Sequence, residues 1–200
     1  MSRSGLALAV LALLYESPMH PYRMQRLIKE RGKDLVVNVG QRSQLYKTID
    51  RLLRERLITV VEVTRESARP ERTSYAITDE GRRAAEEWTA AMLSTPRRDF
   101  PEFTAGLAYL PVLTPDQAAE ALNTRLDALT RELAELDASV EAVVDTLPRL
   151  VLIESEYMDT HLRADIEWVR ALLDDLRAGR LTWDREELIE YAKKFAATSE

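Results

Sequence analysis

The sequence predicts a mainly α protein in two parts: three helices, a β-hairpin and a fourth helix, then an all-α C-terminal half. Three observations predict it. Apolar residues recur at helical spacing over most of the 200 residues. Two short runs, LITVVEV (57–63) and TSYAI (73–77), are instead rich in the β-branched and aromatic residues of strands. The charge is also divided. Residues 1–78 hold 14 Lys and Arg against 8 Asp and Glu, a net +6, while residues 79–200 hold 14 against 26, a net −12. The overall charge of −6 therefore conceals a basic front half and an acidic back half.

The first helix spans residues 5–15. It is apolar almost all round and so belongs at the centre of a core. Its apolar run, LALAVLALLY (6–15), is too short for the ~20 residues that cross a bilayer. The next residues, Glu16-Ser17-Pro18-Met19-His20-Pro21, do not form a signal-peptide cleavage site. A cytoplasmic protein with no membrane segment is expected. The second helix, 21–31, opens on Pro21 at a plausible first helical position, buries Tyr22, Met24, Leu27 and Ile28, and stops at Gly32.

A short apolar connector, 35–40, leads to QRSQLYKTIDRLLRERLI (41–58), which carries the third helix. At ~100° per residue, Leu45, Ile49, Leu52 and Leu53 fall within an arc of ~100°. Ser43, Lys47, Arg51 and Arg54 lie opposite, with Gln44 and Asp50 at the edges. The two strand runs follow, joined by a polar segment that contains Arg65, Arg69, Pro70 and Arg72. That connection is too long for a two-residue turn and is expected to project. Thr78 or Asp79 then caps a helix to about residue 93.

Three helices, a hairpin with a basic tip and a following helix are the element order of a winged helix-turn-helix. Residues 1–95 are expected to form this domain, with the Pro- and Arg-bearing stretch 94–101 as a linker. Residues 96–200 are expected to form an α-helical dimerisation domain. There, 104–109 is a short helix stopped by Pro111, and Thr114-Pro115-Asp116-Gln117 is a strong helix start. From it, Leu122, Leu126, Leu129, Leu133, Leu136, Val140, Val143 and Leu147 alternate at spacings of four and three, the seam of a coiled coil, until Pro148 breaks it. A second long helix, 150–177, carries Met158, Leu162, Ile166, Val169, Leu173 and Leu176, and a final amphipathic helix carries Leu188, Ala192 and Phe195. The seam can close within one chain as a helical hairpin or between two copies. Leu122, Leu126, Leu129, Leu133, Leu136, Leu162, Ile166, Val169 and Leu173 are the candidates for a homodimer interface.

Alone, a basic helix face is ordinarily a solvated surface. Here it lies on the third helix of a helix-turn-helix order, ahead of an arginine-bearing hairpin, in the basic half of an acidic chain. Those three facts make double-stranded DNA the expected partner, with the third helix in the major groove. The candidate contacts on the helix are Arg42, Ser43, Gln44, Tyr46, Lys47, Arg51 and Arg54; on the wing they are Arg65, Arg69 and Arg72. Gln44 suits adenine and Arg or Lys suits guanine, whereas Ser43 and Tyr46 suit phosphate, which positions without specifying. Asp50 is the odd residue on that face, placed to pair with Arg54 four residues on.

The ordered set of residues, though no single motif in it, resembles the PadR family of transcriptional regulators over roughly residues 5–195. The resemblance is carried by 8–15, His20-Pro21-Tyr22, Leu45-Tyr46 with Leu52, Leu57-Ile58, and Arg69-Pro70 with 75–81. In the back half it is carried by Leu110-Pro111, 147–150, Glu154, Glu156-Tyr157 and Leu181-Thr182-Trp183. It implies a sequence-specific DNA-binding regulator, a repressor on an inverted-repeat operator, acting as a homodimer released by a small-molecule effector. It also implies a pocket, for which Trp88, Tyr109, Tyr157 and Trp168 are candidates beside their ordinary reading as packing residues. The chain departs from the family at Pro21 and Arg56, where relatives commonly carry Gly, and at Lys47, where they often carry Pro. Arg56 is expected to keep the exit of the third helix away from positive φ.

Enzymatic chemistry is not expected. There is no Cys, there are two His, and there is neither a Gly-rich phosphate loop nor a G-x-S-x-G element. His161, Asp165 and Glu154 have a spacing that suits a metal, but it equally makes a salt-bridged helix face, so no metal and no cofactor is expected. A non-catalytic helical adaptor, using its winged helix against another protein, is the competing class.

Overall fold

The computed structural model describes residues 3–40, 42–64 and 72–197, and divides into two compact units, Met1–Arg98 and Asp99–Glu200. The protein is mainly α, with a winged helix-turn-helix followed by a helical C-terminal region. The first unit runs α1 (Gly5–Glu16), α2 (Pro21–Glu30), α3 (Arg42–Arg54), β1 (Ile58–Thr64), β2 (Arg72–Ile77) and α4 (Asp79–Ser94). Its core gathers Val10, Leu11 and Leu14 of α1, Met24 of α2, Leu45, Ile49 and Leu52 of α3, and Trp88 of α4. Each such side chain contributes about 1.5–3 kcal/mol by leaving water, so the near-continuous apolarity of α1 makes it the hub. Ser4 caps α1 by accepting from the Ala7 N–H at 3.2 Å, and His20 Nδ1 caps α2 by accepting from the Tyr22 N–H at 3.1 Å. Gly32, at φ 65°, ends α2 as expected.

β1 and β2 are antiparallel, with Ile58 opposite Ile77 and Val60 opposite Tyr75, and a bulge between Val60 and Glu62. Met19, between α1 and α2, exchanges both backbone hydrogen bonds with Tyr75 at 3.0 and 3.1 Å. The wing is thereby anchored to the start of the helix-turn-helix, a tie that no local sequence signal announces.

The exit of α3 differs from expectation. Arg56 takes φ 59°, the left-handed region it was expected to avoid. The reason lies in the hydrogen bonds around it. Arg56 N–H donates to Leu53 O and Leu57 N–H to Leu52 O, both at 2.9 Å, which is the paired Schellman ending of a helix. That ending turns the chain so that Leu57 and Ile58 go straight into the core. The left-handed residue costs roughly 1–2 kcal/mol, and the burial of two large apolar side chains outweighs it.

Thr78 then locks the junction. Its hydroxyl donates to Arg56 O at 2.8 Å and accepts from the Gly81 N–H at 3.0 Å, while its own N–H donates to Leu57 O at 3.1 Å. The start of α4 consequently lies directly on the Leu57 carbonyl. A Cβ on Gly81 would sit 2.0 Å from that oxygen.

The second unit contains α5 (Glu102–Ala108), α6 (Pro115–Glu141), α7 (Ile153–Arg177) and α8 (Arg185–Ala197). Thr114 and Gln117 form the predicted reciprocal cap of α6, with bonds of 3.3 and 3.0 Å. Leu122, Leu129 and Leu136 of α6 pack against Leu162, Ile166, Val169, Leu173 and Leu176 of α7, with Leu126, Leu133 and Val140 half-buried alongside. Two ion pairs, Asp137–Arg163 at 3.1 Å and Arg125–Asp165 at 3.6 Å, also join α6 to α7. Trp183 Nε1–H donates to Leu113 O at 2.9 Å, and the Arg185 guanidinium donates to Val112 O, strapping the chain after α7 to the start of α6.

The predicted seam is longer than the helix. α6 ends at Glu141, so Val143 and Leu147 lie in turns. The Val143 and Val144 N–H groups both reach Val140 O, at 3.0 and 2.9 Å, as the helix tightens. Pro148 then disfavours helical backbone at Leu147. A 3-10 turn, Arg149–Val151, precedes α7. No described helix is long and apolar enough to cross a membrane.

Candidate nucleic-acid interface

α3 is held by its buried face, Leu45, Ile49 and Leu52, each almost wholly enclosed. Rotation of the helix about its axis is thereby fixed, and Ser43, Gln44, Tyr46, Lys47, Asp50 and Arg54 are left exposed. Ser43, Lys47, Asp50 and Arg54 succeed one another at spacings of four, three and four, which lines them up along one face. Tyr46 stands beside that row, about half exposed.

Arg51 is placed differently from its neighbours. The helical wheel set it opposite the core, but it is half-buried, and its Nε and Nη2 are enclosed without a hydrogen-bond partner, as is Oε2 of Glu55 one turn on. A wheel assumes a single packing neighbour, and α3 has several: α1, α2 and β1. The expected pairing of Asp50 with Arg54 is also absent. Arg54 Nε instead donates to the backbone carbonyl of Asp50, at 3.4 Å.

β2 brings in a residue that sequence reasoning missed. Tyr75 packs inward against the core with Ile77, two residues on, and the alternation of the strand was the signal that would have placed it. Burial pushes its phenol above the ordinary value, and the charge of Asp50 and the neighbouring Tyr46 push it further. Tyr75 therefore stays neutral at physiological pH. Of the other candidates, Arg42 opens α3 and Arg72 opens β2. Arg65 and Arg69 lie outside the described residues.

The four aromatic candidates for an effector pocket are distributed over the two units. Trp88 is 7% exposed in the core of the first. In the second, Tyr109 is 72% exposed and Tyr157 65%, the latter tilted over His161 with ring centres 4.0 Å apart. Trp168, 48% exposed, meets Phe103 edge-on at 6.1 Å, and the Arg125 guanidinium covers the other ring at 3.6 Å. An open apolar groove of about 650 Å³ runs between α1 and α4, lined by Leu8, Ala12, Tyr15, Ala85, Ala90 and Leu93. None of the four aromatics lines it. His161 Nδ1 lies 2.8 Å from Tyr157 O and Asp165 faces Arg125. Among the described residues no cluster of three potential metal ligands occurs.

A three-helix core with an attached wing, presenting an outward polar row on its third helix, defines the winged helix-turn-helix class. Residues 10–87 match the transcriptional regulator PadR-like family. Members of that family are transcriptional regulators, not enzymes. Solved structures share the fold over most of the chain. Bacillus subtilis PadR in complex with operator DNA is 20% identical with a TM-score of 0.70, covering 86% of this chain and 99% of that one. Bacillus subtilis PadR in complex with p-coumaric acid is 17% identical with a TM-score of 0.66, covering 88% and 99%. The Vibrio cholerae virulence activator AphA is 19% identical with a TM-score of 0.65, covering 87% and 99%. No curated protein sequence matches the chain. The coverage extends well past residue 98, so the helical C-terminal region belongs to the shared fold as well.

Proposed function

We propose that this chain is a cytoplasmic, sequence-specific DNA-binding regulator that grips an inverted-repeat operator as a homodimer. The observation that carries the reading is the outward row on α3, fixed in rotation by three buried side chains and standing next to the wing in the basic half of the molecule. A helix so held enters a major groove as a rigid reader. Arg42, Ser43, Gln44, Tyr46, Lys47, Arg51 and Arg54 are its contact set, with Arg65, Arg69 and Arg72 following the phosphates from the wing. Arg51 contributes through whatever part of its guanidinium remains accessible. One such unit holds a half-site weakly, and a twofold pair spans two half-sites ~34 Å apart. The second unit supplies the pairing surface and, at −12 over residues 79–200, is repelled by phosphate.

Repression is the sign proposed, because occupancy alone blocks transcription without a further contact. A small-molecule effector is the proposed release signal, in keeping with the relative solved with p-coumaric acid. The test is fluorescence anisotropy with duplex from upstream of the chain's own gene, at moderate salt. Specific affinity well above that for random duplex is expected. Equal affinity for both refutes the regulator reading and leaves the adaptor class. Deleting residues 115–200 should give a monomer by sedimentation; a dimer would show that the helical unit is not the main pairing surface.

A further inference from the structure

Asp50 is an acidic side chain in an otherwise polar or cationic row, Ser43, Lys47, Asp50 and Arg54. Lys47 precedes it by three residues and Arg54 follows by four, the spacings at which helical ion pairs form. Neither pair is made. Arg54 turns its Nε to the backbone carbonyl of Asp50, and the exposed carboxylate has no hydrogen bond or ion pair among the described residues. The carboxylate thus stands uncommitted on the face that meets DNA, with the cations Lys47 and Arg54 beside it.

A carboxylate directed at duplex DNA is repelled by the phosphates, and it only accepts hydrogen bonds. It is tolerated there only opposite a donor. In the major groove guanine offers two acceptors, and thymine an acceptor and a methyl group. Adenine sets its N6 amino donor beside the N7 acceptor, a pattern that suits an amide. Cytosine offers its N4 amino group without that neighbouring acceptor, and the N7 and O6 of its paired guanine suit the flanking Lys47 or Arg54. A C·G pair therefore satisfies the acid and a neighbouring base together.

We propose that Asp50 is a specificity residue that accepts from a cytosine N4 amino group in each operator half-site and excludes guanine and thymine there. This rests on α3 being the DNA-reading helix.

The experiment is binding-site selection from a randomised duplex pool with the full chain, its Asp50→Asn variant and its Asp50→Ala variant, whose helical circular dichroism and melting should match. The wild-type chain should enrich cytosine at one position per half-site, and a wrong base there should weaken binding about 10- to 100-fold. Asp50→Asn should move the preference at that position to adenine, the partner of a side-chain amide. Asp50→Ala should lose the preference there, keep it elsewhere and bind random duplex more tightly. If both variants enrich the same base as the wild type at every position, or the altered position is not a cytosine in the wild type, the assignment is overturned while the regulator reading stands. If the wild type enriches no sequence, the regulator reading itself falls.

Discussion

Gly81→Ala adds a single methyl group at the point where α4 meets the exit of α3. The new Cβ would lie 2.0 Å from Leu57 O, 3.0 Å from Leu57 C and 2.8 Å from Ile77 Cγ1. Two of these are backbone atoms, so no flexible side-chain end can yield, and the start of α4 must lift by more than 1 Å. That lift acts on three bonds centred on Thr78. Overpacking costs about 1–3 kcal/mol. Weakening the Thr78 cap costs ~1 kcal/mol, and losing one of the bonds to Arg56 O or Leu57 O costs ~1 kcal/mol. Alanine returns up to ~1 kcal/mol of helix propensity. The net loss is about 2–4 kcal/mol, a large part of the stability of a small domain. Urea unfolding of the full chain, followed by far-ultraviolet circular dichroism, should show the transition of the first unit moved to lower denaturant. Gly106→Ala is the matched control, because its Cβ would meet nothing within 4 Å; it should leave α5 unchanged or slightly stabilised. An unshifted midpoint for Gly81→Ala would refute the reasoning, since it would mean that α4 and Leu57 are not in contact.

Arg56→Gly removes the left-handed strain at φ 59°. After the entropy lost by a more flexible unfolded chain, it should raise stability by about 0.5–1 kcal/mol, read from the same unfolding curve. Glu16 and Arg31 join the ends of α1 and α2 at 2.8 Å, and the hydrogen bond from Arg31 holds the Glu16 carboxyl below its usual value. That contribution is present above the unfolded carboxyl value, ~4.3, and is lost as pH falls through the lower folded value. Both side chains are largely solvated, so Glu16→Gln should cost at most a few tenths of a kcal/mol at pH 7, and the two proteins should converge once pH falls below the lowered folded value. Ile166→Ala, in the tight seam of α7, should cost about 2–5 kcal/mol and lower the melting of the second unit. Lys47→Ala should weaken operator binding and reduce its salt dependence with no change in melting.

Most helices were legible because one face is committed to a core, and α1 because it is apolar almost all round. Leu45, Ile49 and Leu52 set the rotation of α3, and the alternating seam set the partners within α6 and α7. What was not legible depends on groups distant in sequence. The bridge from Met19 to Tyr75 joins residues 56 positions apart, and neither carries a local mark of it. Arg56 was read from its own preference, whereas the core beyond it dictates its backbone. Arg51 was placed by a wheel that knows one neighbour. The end of α6 was masked by apolar residues that kept the seam's spacing past the point where Val143, Val144 and Pro148 stop the helix. In the candidate site, the row on α3 could be read directly. That Asp50 and Tyr46 act on the Tyr75 phenol required the fold.

The packing of α1 against α4 joins side chains far apart in the chain: the Tyr15 hydroxyl donates to Glu86 at a separation of 71 residues. At roughly 5–20 residues per second of synthesis, α1 leaves the ribosome about 4–14 s before the helix that covers it. During that interval the most apolar segment of the chain lacks its α4 partner and is a target for chaperones or for self-association. Misfolding during synthesis should therefore depend on how quickly residues 72–94 follow, and slowing translation there should lower the soluble yield of a protein whose folded stability is unchanged.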